Sequence, residues 1–124
     1  GNDRAERMDA VRAALDAGVN VAIHSDAPVT PMGPLFTAWC AVTRQTMSGR
    51  VLGAQQCISV EEALHAITLG AAYTLKLDRD IGSIETGKIA DFAILAQDPT
   101  EGDGNALKDI EVEGTVSSGI VHLI

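Results

Sequence analysis

The spacing of hydrophobic residues predicts a helical first half that is interrupted by one short strand. Near the start of the chain apolar residues recur every three or four positions, Asp3 and Glu6 have the spacing of a capping box, and Gly18 follows as a stop signal. The next residues, 19–23, are nearly all apolar and mostly β-branched, which is typical of a strand covered on both faces in a parallel sheet. This order predicts an αβ unit.

Three further helical segments are expected in the middle of the chain. A 3.6-residue rhythm runs from about residue 34 to a break at Ser48 and Gly49. Ser59 and Glu62 form a second capping-box pattern, which predicts a helix that begins there. After a pause at Gly70, residues 71–77 are expected to continue as helix.

The pattern changes after Asp80 from helical to strand-like. Residues 84–88 have the composition of a turn, and the segments 91–95, 110–117 and 120–124 are predicted to be strands. The last two strands are separated by Ser118 and Gly119, which indicates a hairpin.

The strand predicted at residues 19–23 needs neighbours on both sides, because its backbone donors and acceptors must be paired. No second strand of that kind is predicted, so the sequence indicates part of a larger sheet. Its start at Gly1, without an initiator Met, is expected to be a cut end. A processed Met or a tag remnant before a complete small protein is the alternative.

Composition favours one globular domain. The chain has 124 residues, of which 46% are hydrophobic, 21% charged and only 3% aromatic, so aliphatic side chains and alanine must fill the core. A formal charge of −8 disfavours nucleic acid as a partner. With no apolar run near the ~20 residues of a membrane span and no signal peptide pattern, we expect a soluble, cytoplasmic protein without a membrane partner. Cys40 and Cys57 are expected to be buried thiols.

The residues best placed for chemistry are His24, Ser25 and Asp26, at the carboxyl end of the predicted strand 19–23. In parallel α/β folds ligands bind beyond the carboxyl ends of strands, and strand alternation puts His24 and Asp26 on one side. From the residues alone, Asp26 is either a catalytic or metal-binding carboxylate or a turn residue. His24 is either functional or a packed core histidine.

Several motifs together resemble a known family. They are His24–Val29, Ala41–Arg44, Ser59–Leu64, Gly70–Tyr73 and Gly82–Leu95 followed by Asp98 and Pro99. Their order is similar to that of the C-terminal third of the amidohydrolase superfamily, nearest its YtcJ-like branch. The resemblance covers nearly the whole chain from about Ala5.

The resemblance implies an α/β fold: a partial (β/α)8 barrel, with the last βα unit and following helices, plus strands of a C-terminal β-sandwich. Residues 1–79 would be the end of the metallohydrolase barrel and residues 80–124 part of the composite sandwich. Asp26 matches the family's aspartate after strand eight, which contacts the catalytic metal or its bound water and acts as general base. A divalent metal, with zinc the expected ion, and a small-molecule substrate are implied.

Departures from the family limit what the chain is expected to do alone. The family's other metal ligands have no counterpart, and His65 and His122 lack ligand spacing. One carboxylate, even with His24, falls short of the three or four protein ligands that zinc requires. We therefore expect the parent protein to hydrolyse C–N bonds of amides or cyclic amides with a metal-activated water, and the chain alone to be inactive and to hold no metal.

Two non-enzymatic alternatives remain open. In the first, the chain is an inactive fragment that folds only by self-association or with a missing N-terminal portion. In the second, it is a complete small binding protein.

A further motif, GxxxxGK over residues 82–88, lacks the Ser or Thr that follows the lysine of a phosphate-binding loop. A strand-like run follows it where a helix is required, so we expect a structural turn.

Overall fold

The computed structural model describes the backbone of all 124 residues and every side chain except that of Asn2. Five α-helices precede three β-strands. The helices are α1 Asn2–Ala5, α2 Val11–Asp16, α3 Pro34–Thr43, α4 Val60–Ile67 and α5 Leu69–Thr74, and the strands are β1 Phe92–Leu95, β2 Val112–Ser117 and β3 Ile120–Leu123. Two single turns of 3-10 helix, Ala54–Gln56 and Leu107–Asp109, lie in the connections.

The start of α4 confirms the second capping box. The Ser59 hydroxyl accepts a hydrogen bond from the Glu62 backbone N–H at 3.2 Å, and the Glu62 carboxylate accepts one from the Ser59 N–H at 2.8 Å. Both orphan donors at the helix start are thereby satisfied. Three apolar residues of α4, at positions 60, 63 and 66, are buried.

The first capping box was predicted wrongly. Asp3 lies inside α1, and the expected single helix is divided into α1 and α2 by turns at residues 6–10. The Glu6 carboxylate instead accepts the Gly53 N–H at 2.6 Å and contacts the Arg50 guanidinium at 3.2 Å. The Glu6 carboxylate therefore binds Gly53, 47 residues away, instead of the backbone of the nearby Asp3.

Helix α3, expected to run from about residue 34 to the break at Ser48 and Gly49, also ends earlier than expected. Helix α3 stops at Thr43, and Arg44 takes a left-handed conformation with φ of 51°. The Arg44 guanidinium donates to three backbone carbonyls, those of Met8 at 2.6 Å, Asp9 at 3.0 Å and Leu52 at 2.6 Å. Residues 45–51 then fold into a narrow turn instead of a further helical turn, closed by a bridge between positions 45 and 51.

The core lies between α3, α4 and the turn Leu107–Asp109. Its buried residues are Ala38, Ile58, Val60, Ala63 and Leu107. Alanines on facing helices let the backbones approach closely, and Leu107 is the largest side chain that is fully buried. The buried residues of this core are all alanine or aliphatic, as the composition of the sequence predicts.

The three strands form one antiparallel sheet in the order β1-β2-β3, and all three were predicted. A bulge interrupts the pairing of β1 with β2 between Ile94 and Leu95. Ser118 and Gly119 connect β2 to β3 with φ values of 49° and 82°, as a two-residue hairpin turn with two positive φ angles requires. All four residues of β3 are exposed, and the described residues contain no second sheet layer.

The strand predicted at residues 19–23 is not formed, which corrects the sequence analysis. This segment has no regular secondary structure, its first two residues are exposed and the other three are half-buried. One side lies against α4 and α5, where the Ile23 N–H donates to the Ala66 carbonyl at 3.4 Å. A strand requires a partner strand, and the paired strands of this chain all lie after residue 91.

The chain exposes more surface than a monomer of its mass usually does. Its accessible surface is 8285 Å², whereas a folded monomer of 12.9 kDa is expected to expose about 6,300 Å². Much of the exposed surface is apolar, including Met47, Ile84, Leu123 and Ile124. No helix among the described residues is long and apolar enough to cross a membrane.

Candidate functional site

His24, Ser25 and Asp26 begin a loop, residues 24–33, that joins the 19–23 segment to α3. His24 and Asp26 are exposed and Ser25 is half-buried, so His24 is not a core histidine. Asp26 has a φ of 51°, in the left-handed region that Asp adopts more readily than most non-glycine residues.

Three hydrogen bonds surround Asp26 in this loop. The His24 Nδ1 atom accepts the Asp26 backbone N–H at 3.0 Å. The Asp26 carbonyl accepts the Val29 N–H at 2.8 Å, and the Thr30 hydroxyl donates to the Ser25 carbonyl. The backbone of Asp26 is therefore held on both sides, while its carboxylate is left exposed to a ligand or to solvent.

Two clefts border His24. The larger, about 490 Å³, lies between the 19–23 segment and helices α2 and α3, and the smaller, about 200 Å³, lies beside Met32 and Ile67. Asp26 lines neither of them. Cys40 borders the larger cleft, and burial raises the pKa of its thiol, which favours the protonated form.

The described residues do not form a complete metal site. No group of three or more His, Cys, Asp and Glu side chains is positioned to hold a metal ion. His65 lies in α4 and His122 in β3, and both are exposed. The Asp26 carboxylate and His24 imidazole are ligand types that zinc accepts, but two ligands are fewer than a bound zinc needs.

The ion pair with the shortest distance among the described residues joins α2 to α4. Arg12 donates from Nη1 to both oxygens of Glu62, at 2.6 and 2.8 Å, and also pairs with Asp16. The hydrogen bond from Arg12, with that from the Ser59 N–H, lowers the pKa of Glu62. Neither this ion pair nor the hydrogen bonds from the Arg44 guanidinium to backbone carbonyls were predicted, because the partners are far apart in the sequence.

The GxxxxGK segment forms a turn, as expected. The Lys88 ammonium donates to the Ser83 hydroxyl at 2.6 Å, and that hydroxyl donates to the Glu85 carboxylate at 2.5 Å. The Ser83 hydrogen bond, aided by the charge of Lys88, lowers the pKa of Glu85. The lysine is thus directed at its own turn, and β1 follows after a few residues.

Comparison with known proteins identifies the family. The chain matches the Amidohydrolase family over residues 1–122. It therefore belongs to that family, which confirms the resemblance drawn from its motifs.

Individual relatives are several times longer than the chain. It is 35% identical over 112 residues to the N-substituted formamide deformylase of Arthrobacter pascens, covering 90% of this chain and 21% of the relative. It is 32% identical over 122 residues to YtcJ of Bacillus subtilis (strain 168), covering 96% and 23%. A crystal structure of an amidohydrolase from Thermotoga maritima MSB8 matches with a TM-score of 0.67 and 25% identity, covering 90% and 24%. The chain thus spans about a fifth to a quarter of these proteins.

Proposed function

We propose that the chain is the C-terminal part of a metal-dependent amidohydrolase that hydrolyses the C–N bond of an amide or cyclic amide. The family match over residues 1–122 carries this proposal. The similarity to a protein named as an N-substituted formamide deformylase supports a C–N bond as the target.

We further propose that residues 19–23 become the last strand of a (β/α)8 barrel when the rest of the protein is present. One side of the segment already lies on α4 and α5, and the other borders the 490 Å³ cleft. The accessible surface is about 2,000 Å² above that expected for a monomer of this mass. In this proposal residues 1–79 complete the barrel and residues 80–124 join a composite β-sandwich.

Asp26 is the proposed catalytic residue and metal ligand. A divalent cation, with zinc the expected ion, lowers the pKa of bound water to about 7 when it is present. The exposed carboxylate of Asp26 would accept a proton from the attacking water as general base. Because this chain supplies too few ligands, the remaining ones would come from the part of the relatives that the chain does not span. The 124 residues alone would then be inactive.

The proposed partners follow from the same argument. The substrate is a small molecule, and the net charge of −8 disfavours nucleic acid. The uncovered apolar surface is expected to bind the N-terminal portion of the protein or, in its absence, a second copy of the chain. We propose a cytoplasmic location. The alternative is a non-enzymatic fragment that folds only by self-association.

The test uses the complete product of the reading frame that encodes these residues. Hydrolysis of N-substituted formamides and cyclic amides is measured for the parent, for Asp26→Asn and for Asp80→Asn, with metal content determined by elemental analysis. Asp80 is a matched control because its side chain is exposed. We expect Asp26→Asn to lower kcat about 10²–10⁴-fold, as loss of a general base does, and Asp80→Asn to leave it unchanged.

Two outcomes would overturn the proposal. Near-parental turnover by Asp26→Asn would remove Asp26 from catalysis. Turnover by the isolated 124-residue chain after zinc loading would show that no ligand from outside the chain is needed.

A further inference from the structure

We infer that His24 is a positioning residue that sets the direction of the Asp26 carboxylate by holding the Asp26 backbone. The inference rests on the proposed role of Asp26 and extends it to a residue that the family comparison does not assign. It starts from an asymmetry in the loop. The backbone of Asp26 is bound on both sides, whereas no described group donates a hydrogen bond to its carboxylate.

The direction of the Asp26 carboxylate therefore depends on its backbone conformation. With φ at 51°, the Cα–Cβ bond of Asp26 points differently from that of a residue in ordinary extended backbone. The bond of 3.0 Å from the Asp26 N–H to His24 Nδ1 is the contact that fixes the N-terminal side of this conformation. The C-terminal side is fixed by the Val29 N–H on the Asp26 carbonyl at 2.8 Å.

The contact also defines what His24 contributes. An imidazole that accepts at Nδ1 carries its proton on Nε2. A side-chain acceptor that binds the backbone N–H two residues later is the arrangement that Asn and Asp make in an Asx-turn. The Oδ1 atom of Asn occupies the same place along the side chain as Nδ1 of His. Asn should therefore preserve the contact, whereas Phe keeps the ring and loses the acceptor.

The experiment compares His24→Asn and His24→Phe in the complete protein. We expect His24→Phe to lower kcat about 10²-fold with little change in KM, since a misplacement of about 1 Å of a catalytic group has an effect of that size. His24→Asn should retain kcat within a few-fold. Metal content is measured in all three proteins and should be equal in the parent and in His24→Asn, because Asn keeps the contact that holds the Asp26 backbone.

A second pair of variants tests the same loop without altering His24. Thr30→Val removes the hydroxyl that donates to the Ser25 carbonyl, and Thr30→Ser keeps it. The valine variant should lose kcat and the serine variant should not. Thr30 is half-buried, so the unfolding midpoint of each variant is measured alongside.

Two spectroscopic readouts do not depend on turnover. A long-range ¹H–¹⁵N spectrum of the histidine rings should show Nδ1 of His24 unprotonated in the parent. Hydrogen exchange of the Asp26 amide should be slow in the parent and in His24→Asn, and faster in His24→Phe. A protonated Nδ1 in the neutral ring, or equal Asp26 exchange in the three proteins, would overturn the inference.

The outcomes separate this inference from the proposed function. Parental turnover by Asp26→Asn refutes the role of Asp26 itself. An inactive Asp26→Asn combined with a fully active His24→Phe refutes only the positioning role. If His24→Asn is as inactive as His24→Phe, the imidazole acts directly on substrate or metal and the positioning role is wrong.

Discussion

Gly70 lies where α5 approaches the 19–23 segment, and a methyl group there tests whether this contact positions the loop with Asp26. A Cβ atom at Gly70 would be 2.3 Å from the Val21 carbonyl oxygen, and it would also lie 3.1 Å from the His65 carbonyl. Both neighbours are backbone atoms, which a rotamer change cannot move. The Gly70→Ala substitution must therefore push the segment away from the helix.

Two opposing effects set the sign of the change in stability. Ala is favoured over Gly in a helix by about 1 kcal/mol, whereas overpacking of a close contact costs about 1–3 kcal/mol. Because the gap to Val21 must widen from 2.3 Å to at least 3.0 Å, we expect the clash to dominate. The net loss in the free energy of unfolding should be up to about 2 kcal/mol.

The assay is urea unfolding of the complete protein, monitored by circular dichroism, together with kcat. Displacement of the segment should move Asp26 and lower kcat about 10²-fold. Tyr73→Ala is the control, since it also places an alanine in α5 but replaces an exposed side chain. If Gly70→Ala raises stability by about 1 kcal/mol, the close approach is absent and the reasoning fails.

Three further predictions concern the core, the α2–α4 ion pair and the hairpin. Leu107→Ala should lower stability by about 2–5 kcal/mol, and the exposed Ile84→Ala should change it little; equal effects would contradict the burial of Leu107. Because the pKa of Glu62 is lowered in the folded state, its contribution is full above the ordinary carboxyl pKa and disappears as pH falls through the lowered value. Glu62→Gln should therefore lower the stability of the folded protein at pH 7 and lower it much less at pH 3. A larger loss of stability at pH 3 than at pH 7 would contradict the lowered pKa of Glu62. In the hairpin, Gly119→Ala should lower the thermal midpoint through a cost of about 1–2 kcal/mol, whereas Ser118→Asn should raise it; the opposite order would contradict the two positive φ angles.

The elements that sequence analysis predicted well are those with local signals. The capping box at Ser59 and Glu62 involves residues three positions apart, and the α4 start is where it was expected. The hairpin depends on Ser118 and Gly119, whose small side chains suit the turn, and the flanking strands have alternating patterns. In these places the sequence neighbours are also the spatial neighbours.

The misplaced boundaries arise from contacts between distant segments. Glu6 has the spacing of a helix cap, but Gly53 and Arg50 offer its carboxylate better partners. Arg44 ends α3 early because its guanidinium binds carbonyls near residue 8 and at residue 52. A single sequence does not show which distant donor will reach a given acceptor.

The candidate site was predicted in part. The family that the motif at Asp26 helped to indicate is confirmed for the chain, while the catalytic role of Asp26 stays a prediction. The strand before it fails to form because strand pairing is a property of two segments, and residues 19–23 have no partner in this chain. For His24 the sequence left two alternatives open, a functional residue or a packed core histidine; the residue is exposed, and its ring accepts a hydrogen bond from its own loop.

The fluorescence of the single tryptophan, Trp39, reports on the helical part of the molecule. Trp39 stacks on Phe36 with ring centroids 5.7 Å apart, and the Lys108 ammonium lies 4.9 Å from its ring. Its emission therefore reports on the helical core, while the three strands contain no tryptophan or tyrosine. Comparing the emission of Trp39 with hydrogen exchange of the backbone amides in the three strands during heating will reveal whether helices and strands unfold as one cooperative unit or in sequence.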